Sequence, residues 1–523
     1  MSTYVIAYDV GTTGVKTCLF EISSQIKLVG SAMARYDLYI LENGGVEQEP
    51  DQWWEAMCST TAQVLERTLI SKDAIAAISF CAQMQAVVLV DQSGRPVRRA
   101  MSYMDNRAKD EVKKGLNAFK MLRSIQISGA VSASVKDPVW KYQWVKHHEP
   151  EVFKKIYKWL DVKDYLVCRS CGAFTMSEDS AFATLLYDTR RGKRQFSEAI
   201  CRMFDVDMAH LPQICKSTDQ VGQITLKASE ELGLKAGTPV FSGGGDASLI
   251  GVGAGAVAQQ DTHIYLGTSG WVSTVVPKQH LDISNMIAAI VGANPGYFNY
   301  FAELETAGKC LEWVKDHLAL DEIGLFLDKK HIWEDPESIY ESLYDFMMDC
   351  VKNVRAGSDG VIFTPWLHGN RCPFEDHNAR GIFFNISLET GKTELIHAVV
   401  EGICYHLKWQ LEATERHVKT SQTIRFVGGG ALSPLTCQIL ADVLNREVET
   451  VANPQNVGAV GAAVIMAVGL NLIRDVNEAK LLIPVHETYH PNPSNAVVYN
   501  HVFPVFKSLY RNNVKAFKTL NQP

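Results

Sequence analysis

The sequence predicts an α/β protein built as two related halves that face one cleft. Three observations carry that expectation. At 523 residues the chain exceeds what one compact core organises, and roughly 150 residues per domain suggests two to four. Apolar β-rich runs alternate with helix signals, the pattern of a mixed α/β domain. A strand ending in Gly11-Thr12-Thr13-Gly14 is echoed about 250 residues later by one ending in Gly267-Thr268-Ser269-Gly270, the mark of a duplicated strand-turn unit.

The elements follow in order. Residues 4–8 and 16–22 read as strands around the first glycine turn, and 27–36 adds a third to make a meander. Pro50-Asp51 opens a helix over 52–68, with Asp51 expected as its N-cap. Residues 74–80 and 86–91 are two further expected strands, the second closed by Gln92-Ser93-Gly94-Arg95-Pro96. In the second half, 394–416 reads as a long amphipathic helix. Residues 423–427 form a strand running into Gly428-Gly429-Gly430-Ala431. Ser433-Pro434 then starts a helix through about Leu444, with Ser as N-cap and Pro in the first turn. No low-complexity linker separates the halves. The boundary is placed at 1–244 and 245–523, beside Gly243.

Composition narrows the function. Hydrophobic residues make up 46% and charged residues 21%, ordinary values for a globular chain. The net charge of -7, with no run of five like charges, argues against nucleic acid or a membrane surface as partner. The apolar stretch 457–470 is shorter than the roughly 20 residues of a membrane span, and its Gly and Ala suit a tightly packed helix near a ligand. Without a basic n-region or an apolar h-region at the N-terminus, a cytoplasmic location is expected. The twelve cysteines lack framework spacing, and Cys168-Arg169-Ser170-Cys171 has no second pair to make a zinc or redox site.

Four glycine-rich turns carry the chemistry. In Asp9-Val10-Gly11-Thr12-Thr13-Gly14-Val15-Lys16 the glycines admit phosphate oxygens, Thr12 and Thr13 donate to them, Lys16 adds charge, and Asp9 can hold magnesium. A polar hairpin turn is the plain alternative. Gly243-Gly244-Gly245-Asp246 bares backbone before a carboxylate that could accept a proton from an attacking hydroxyl, or could simply cap the next helix. Gly267 and Thr268 suit a terminal phosphate, and Gly429, Gly430 and Ala431 suit a nucleotide lying against a helix N-terminus. Together the four turns are stronger than any one. Gly391-Lys392-Thr393 lacks the earlier glycine of a P-loop. His486-Glu487-Thr488-Tyr489-His490 matches the zinc-protease pattern, but Pro484 and Pro491 flank it, so an extended segment is expected rather than a helix.

These residues resemble the FGGY carbohydrate kinase family, and within it the xylulokinase branch, over nearly the whole chain. Beside the four turns, the similarity includes Gln83-Met84-Gln85, Met104-Asp105-Asn106-Arg107, Trp140 to Trp144, Lys163-Asp164-Tyr165-Leu166 and Asn378-Ala379-Arg380-Gly381. The resemblance implies two ribonuclease-H-like domains of the actin, hexokinase and Hsp70 superfold, flanking a catalytic cleft. It implies ATP as phosphate donor with Mg2+, Asp246 as base, and Met84, Gln85 and Asp105 shaping the sugar site. D-xylulose is the leading substrate, with ribulose, erythritol or gluconate as alternatives. A non-catalytic ATP-binding regulator of the same superfold is the rival from another class. Homodimers are common among such relatives. The chain departs from the branch at Gln85, where histidine is usual, and at Asn370-Arg371-Cys372-Pro373. It departs again over 177–182, which stands against Asp-Tyr-Ser-Asp-Ala-Ser. Exchanging an imidazole for an amide alters the hydrogen bonds offered to the sugar.

Overall fold

The computed structural model describes residues 2–319 and 336–522. The strands of its two main sheets are numbered in chain order. The first sheet contains β1 (Thr3–Val10), β2 (Gly14–Ile22), β3 (Ile26–Arg35), β4 (Ile75–Ala82), β5 (Gln220–Gln223) and β6 (Pro239–Phe241). Their order is β5-β6-β4-β1-β2-β3, and the short strand Gly244–Gly245 also pairs with β4. β1, β2 and β3 run antiparallel, whereas β4 is parallel to β1 and β6 to β4.

The second sheet contains β7 (Thr262–Leu266), β8 (Gly270–Val276), β9 (Leu281–Asp282), β10 (Ile287–Val291), β11 (Phe298–Leu304), β12 (Ile424–Val427), β13 (Val448–Val451) and β14 (Val485–Tyr489). Its order is β9-β10-β11-β8-β7-β12-β13-β14. The path β11-β8-β7-β12-β13 repeats β3-β2-β1-β4-β6: an antiparallel meander, then two strands parallel to its first member. The echoed glycine turns are the two hairpins of this duplication, β1–β2 and β7–β8. Both halves are ribonuclease-H-like α/β units.

Seven helices matter for the site: α1 (Pro50–Thr68), α2 (Pro138–His148), α3 (Val162–Cys171), α4 (Asp246–Gly253), α5 (Lys392–Glu415), α6 (Pro434–Leu444) and α7 (Val457–Gly469). α4 and α7 cross at backbone distance. A Cβ on Gly253 would lie 1.8 Å from the Val457 carbonyl oxygen, and one on Gly461 would lie 2.3 Å from that of Leu249. Small residues are therefore required here, which accounts for the Gly and Ala of the apolar run. One continuous core joins Val5 and Ala7 of β1 and Phe241 of β6 to α4, α7 and Val427 of β12. No helix among the described residues is long and apolar enough to cross a membrane.

Three expectations are corrected or sharpened. The N-cap of α1 is Glu49, because Pro50 occupies the first helical position; Asp51 lies in the first turn, where it meets the helix dipole instead. The strand expected over 86–91 is Val88–Val90, and it pairs with Lys158–Leu160 outside the main sheet. Gln85, at φ +65°, turns the chain away as β4 ends. His486 belongs to extended β14, paired with β13. Residues four apart on such a strand are separated by ~13 Å, too far for two histidines to share one zinc ion.

Candidate active site

The turn that carries Asp246 is laid tightly against the end of β4. Gly243 has φ +68°, and a Cβ there would lie 2.1 Å from the Phe80 carbonyl oxygen. A Cβ on Gly244 would lie 2.9 Å from Asp179 Oδ2, and one on Gly245 would strike the Met84 side chain. The three glycines thus answer to the protein's own packing. Asp246 opens α4, half-buried, and its Oδ1 accepts the Ala247 N–H at 2.7 Å. Burial, followed by the nearby charges of Asp9 and Glu303, pushes its carboxyl up to about 7, against the Ala247 hydrogen bond.

Asp9 lies one residue before the end of β1, opposite Lys16 in the β1–β2 register. Burial raises its pKa, while Lys16 opposes the shift. Lys16 Nζ reaches into the second half to donate to Asn456 Oδ1 at 2.9 Å. The turn between them is fixed from behind. Gly11 N–H donates to the Gly14 carbonyl at 2.9 Å, Tyr36 hydroxyl donates to the same oxygen at 2.9 Å, and Gln48 Nε2 donates to the Thr12 carbonyl at 2.7 Å. Thr12 Oγ1 lies 3.2 Å from the Tyr103 hydroxyl, and Thr13 is exposed at the tip.

The β7–β8 turn has the same character. Its carbonyls face the protein: Gly267 accepts from Gly308 N–H at 2.8 Å, and Thr268 accepts from Ala307 and Lys309, both at 3.2 Å. Thr268, like Thr13, is exposed. The triple-glycine turn after β12 lies alongside. Gly428 has φ +94°, and a Cβ there would lie 2.5 Å from the Leu266 carbonyl oxygen. Gly429 is exposed, with nothing within 4 Å of where a Cβ would be. Gly430 is half-buried, Ala431 is buried, and α6 follows with Ser433 as N-cap, its Oγ accepting the Thr436 N–H at 3.2 Å. All of these turns lie at the C-terminal ends of sheet strands, the usual place for ligands in α/β folds.

On the sugar side, two buried charges hold the backbone of Gln85. Asp161 accepts the N–H groups of Gln85 and Ala86 at 2.9 and 3.0 Å, and Lys141 Nζ donates to the Gln85 and Ser102 carbonyls at 2.7 and 2.9 Å. Burial, with the charge of Asp164, pushes Asp161 up to about 7; burial also pulls Lys141 down to about 8, against the pull of Asp105 and Asp161. The Gln85 side chain makes no hydrogen bond among the described residues. Asp105 is fully buried. Its carboxylate accepts Val46 N–H at 2.8 Å and Arg107 Nη2 at 2.6 Å, so its oxygens are already engaged. Gln83 Nε2 donates to Gln48 Oε1 at 3.0 Å, while its buried Oε1 has no partner among the described residues and could accept a ligand hydroxyl.

Sequence reasoning missed Asp161 and Asp179. The only local signal for the former is its place as N-cap of α3. Nothing local marks Asp179. No group of three or more metal-ligating side chains occurs among the described residues. Asp9, near the second carboxylate of Asp246, instead fits the mode in which a single carboxylate supports a magnesium ion otherwise held by phosphate and water.

The model of the N-terminal domain of the FGGY family of carbohydrate kinases matches residues 4–253, and that of the C-terminal domain matches 263–470. A xylulose kinase of Staphylococcus xylosus is 28% identical over 519 residues, covering 97% of this chain and 99% of that protein. The crystal structure of a gluconate kinase from Lactobacillus acidophilus superposes with TM-score 0.85 at 24% identity, covering 100% of both chains. A ligand-bound xylulose kinase from the same organism also gives 0.85 at 24%, covering 99% of this chain and 100% of that one. With both halves matched in order, the chain belongs to the FGGY family of carbohydrate kinases and is a sugar kinase.

Proposed function

We propose that the protein transfers the γ-phosphate of Mg-ATP to a hydroxyl of a ketose or polyol, with D-xylulose giving D-xylulose 5-phosphate as the leading reaction. The observation that carries this reading is the position of Asp246. Its turn touches Met84 of the sugar segment, its charge acts together with that of Asp9, and its pKa sits near the operating pH of a general base. Asp246 takes the proton of the attacking hydroxyl. Such a base chiefly orients the nucleophile, and positioning with charge neutralisation supplies most of the rate.

Asp9 would hold the magnesium that accompanies ATP, which shields the phosphates from the carboxylates. Thr12, Thr13, Gly267 and Thr268 would receive the phosphates, with Lys16 released from Asn456 to join them. Gly429, Gly430 and Ala431 would border the adenosine. Met84 and Gln85 would face the sugar, while Asp105 would act through Arg107 and the Val46 backbone. Closure of the two halves would keep water from the phosphate. A cytoplasmic location, where ATP is at hand, belongs to the same proposal. The xylulose kinases among its relatives support the leading substrate. Gln85 in place of histidine makes another ketose or a polyol the second reading. Replacing Asp246 with Ala should abolish sugar phosphorylation while leaving ATP binding intact; near-normal turnover would defeat the assignment.

A further inference from the structure

We infer that Asp179 is a positioning residue for the catalytic turn, setting turnover rather than substrate affinity. The inference rests on Asp246 being the base. Asp179 is 1% exposed, in the short helix Glu178–Ala183. Its Oδ2 accepts the Gly245 N–H at 2.7 Å and the Ser248 hydroxyl, while Oδ1 accepts the Ser177 hydroxyl. The two donors to Oδ2 come from the residue before Asp246 and from two residues after it. One carboxylate oxygen therefore pins both sides of the base. A Cβ on Gly244 would lie 2.9 Å from the same oxygen, so a larger residue there would press on the clamp.

Behind Asp179 lies Lys163, fully buried. Burial alone would lower its pKa, but Asp164 and Asp179 together hold it above the ordinary value, so the cluster retains a cation.

The physical consequence is specific. Losing the clamp frees the first turn of α4 and with it the direction of the Asp246 side chain. A drift of about 1 Å at a reacting group can lower turnover by about 100-fold. Asp179 itself is too buried to touch sugar or nucleotide, so affinities should change little. Asparagine preserves the geometry: its carbonyl oxygen can accept both donors, and its amide can donate to Ser177.

The test is steady-state kinetics of the full chain with ATP and its best sugar substrate. Asp179→Ala should lower kcat by about 30-fold or more, with KM for sugar and ATP within about threefold. Asp179→Asn should recover to within about fivefold of the parent, and Ser248→Ala, which removes one donor, should lower kcat about three- to tenfold without moving KM. Unchanged kcat in Asp179→Ala, a parallel rise of KM, or an Asn variant no better than Ala overturns the inference. If Asp179→Ala does not fold, Ser248→Ala decides: parental kcat in that variant overturns it. Asp246→Asn is measured beside them. An inactive Asp246→Asn with a normal Asp179→Ala defeats the positioning role alone, whereas active Asp246→Asn defeats the base reading and this inference with it.

Discussion

Replacing Asp246 with Asn should abolish activity yet stabilise the ligand-free protein, and the gain should grow with pH. The carboxyl sits at about 7 in the folded chain, against an ordinary 3.8. A folded pKa raised above the unfolded one favours the fold below about pH 4, and that advantage disappears as pH rises through 7. At pH 8 the ionised, desolvated Asp246 therefore opposes folding. At ~1.4 kcal/mol per pKa unit the ceiling is ~4 kcal/mol, reduced by the side chain's partial exposure to the cleft. At pH 5.5 roughly half of that opposition remains, because the carboxyl is protonated in the folded chain but ionised when unfolded. Asparagine keeps the shape and removes the charge. For halves of this size each kcal/mol moves Tm by ~2–4 °C. Thermal unfolding of both proteins at pH 5.5 and pH 8, without ATP or magnesium, measures the difference. A Tm gain larger at pH 8 than at pH 5.5 is expected; equal shifts, or a loss at pH 8, would refute the reasoning.

Three other outcomes follow from the geometry. Gly429→Ala meets open space, so Tm should stay within about 1 °C while KM for ATP rises several-fold; Gly428→Ala, strained and pressed against Leu266, should lower Tm instead. Asp161→Ala removes the acceptor of the Gln85 and Ala86 N–H groups, and unfolding experiments should show a loss of about 1–3 kcal/mol, with KM for the sugar raised more than KM for ATP. Gln85→His restores the branch's usual residue, and kcat/KM for D-xylulose against the other sugars should shift by about tenfold; an unchanged ratio places Gln85 outside the sugar contacts.

How much the sequence disclosed depended on how local each signal was. The β1–β2 and β7–β8 hairpins were legible because alternating apolar runs and their glycine turns are contiguous. Ser433-Pro434 was legible as a helix start for the same reason. Asp51 was misplaced by two positions because both it and Glu49 flank Pro50, and the proline takes the first helical position, which leaves Glu49 as the cap. The support of the site was hidden. Asp161 grips residues 76 and 75 positions away, and Asp179 grips Gly245 across 66. Such pairings leave no period in the sequence, and a buried carboxylate looks there like any other. The glycines of 243–245 were noticed for the backbone they bare before Asp246, but the Phe80 backbone and Asp179 that crowd them become visible only in three dimensions.

Coupled ADP release with Mg-ATP across a panel of ketopentoses, aldoses, pentitols, glycerol, erythritol and gluconate tests the central claim most directly. The account predicts sugar-stimulated release, strongest with D-xylulose and matched by one D-xylulose 5-phosphate for each ADP. Absence of stimulation by every member of the panel, with ATP still bound, would contradict it and favour a nucleotide-binding regulator.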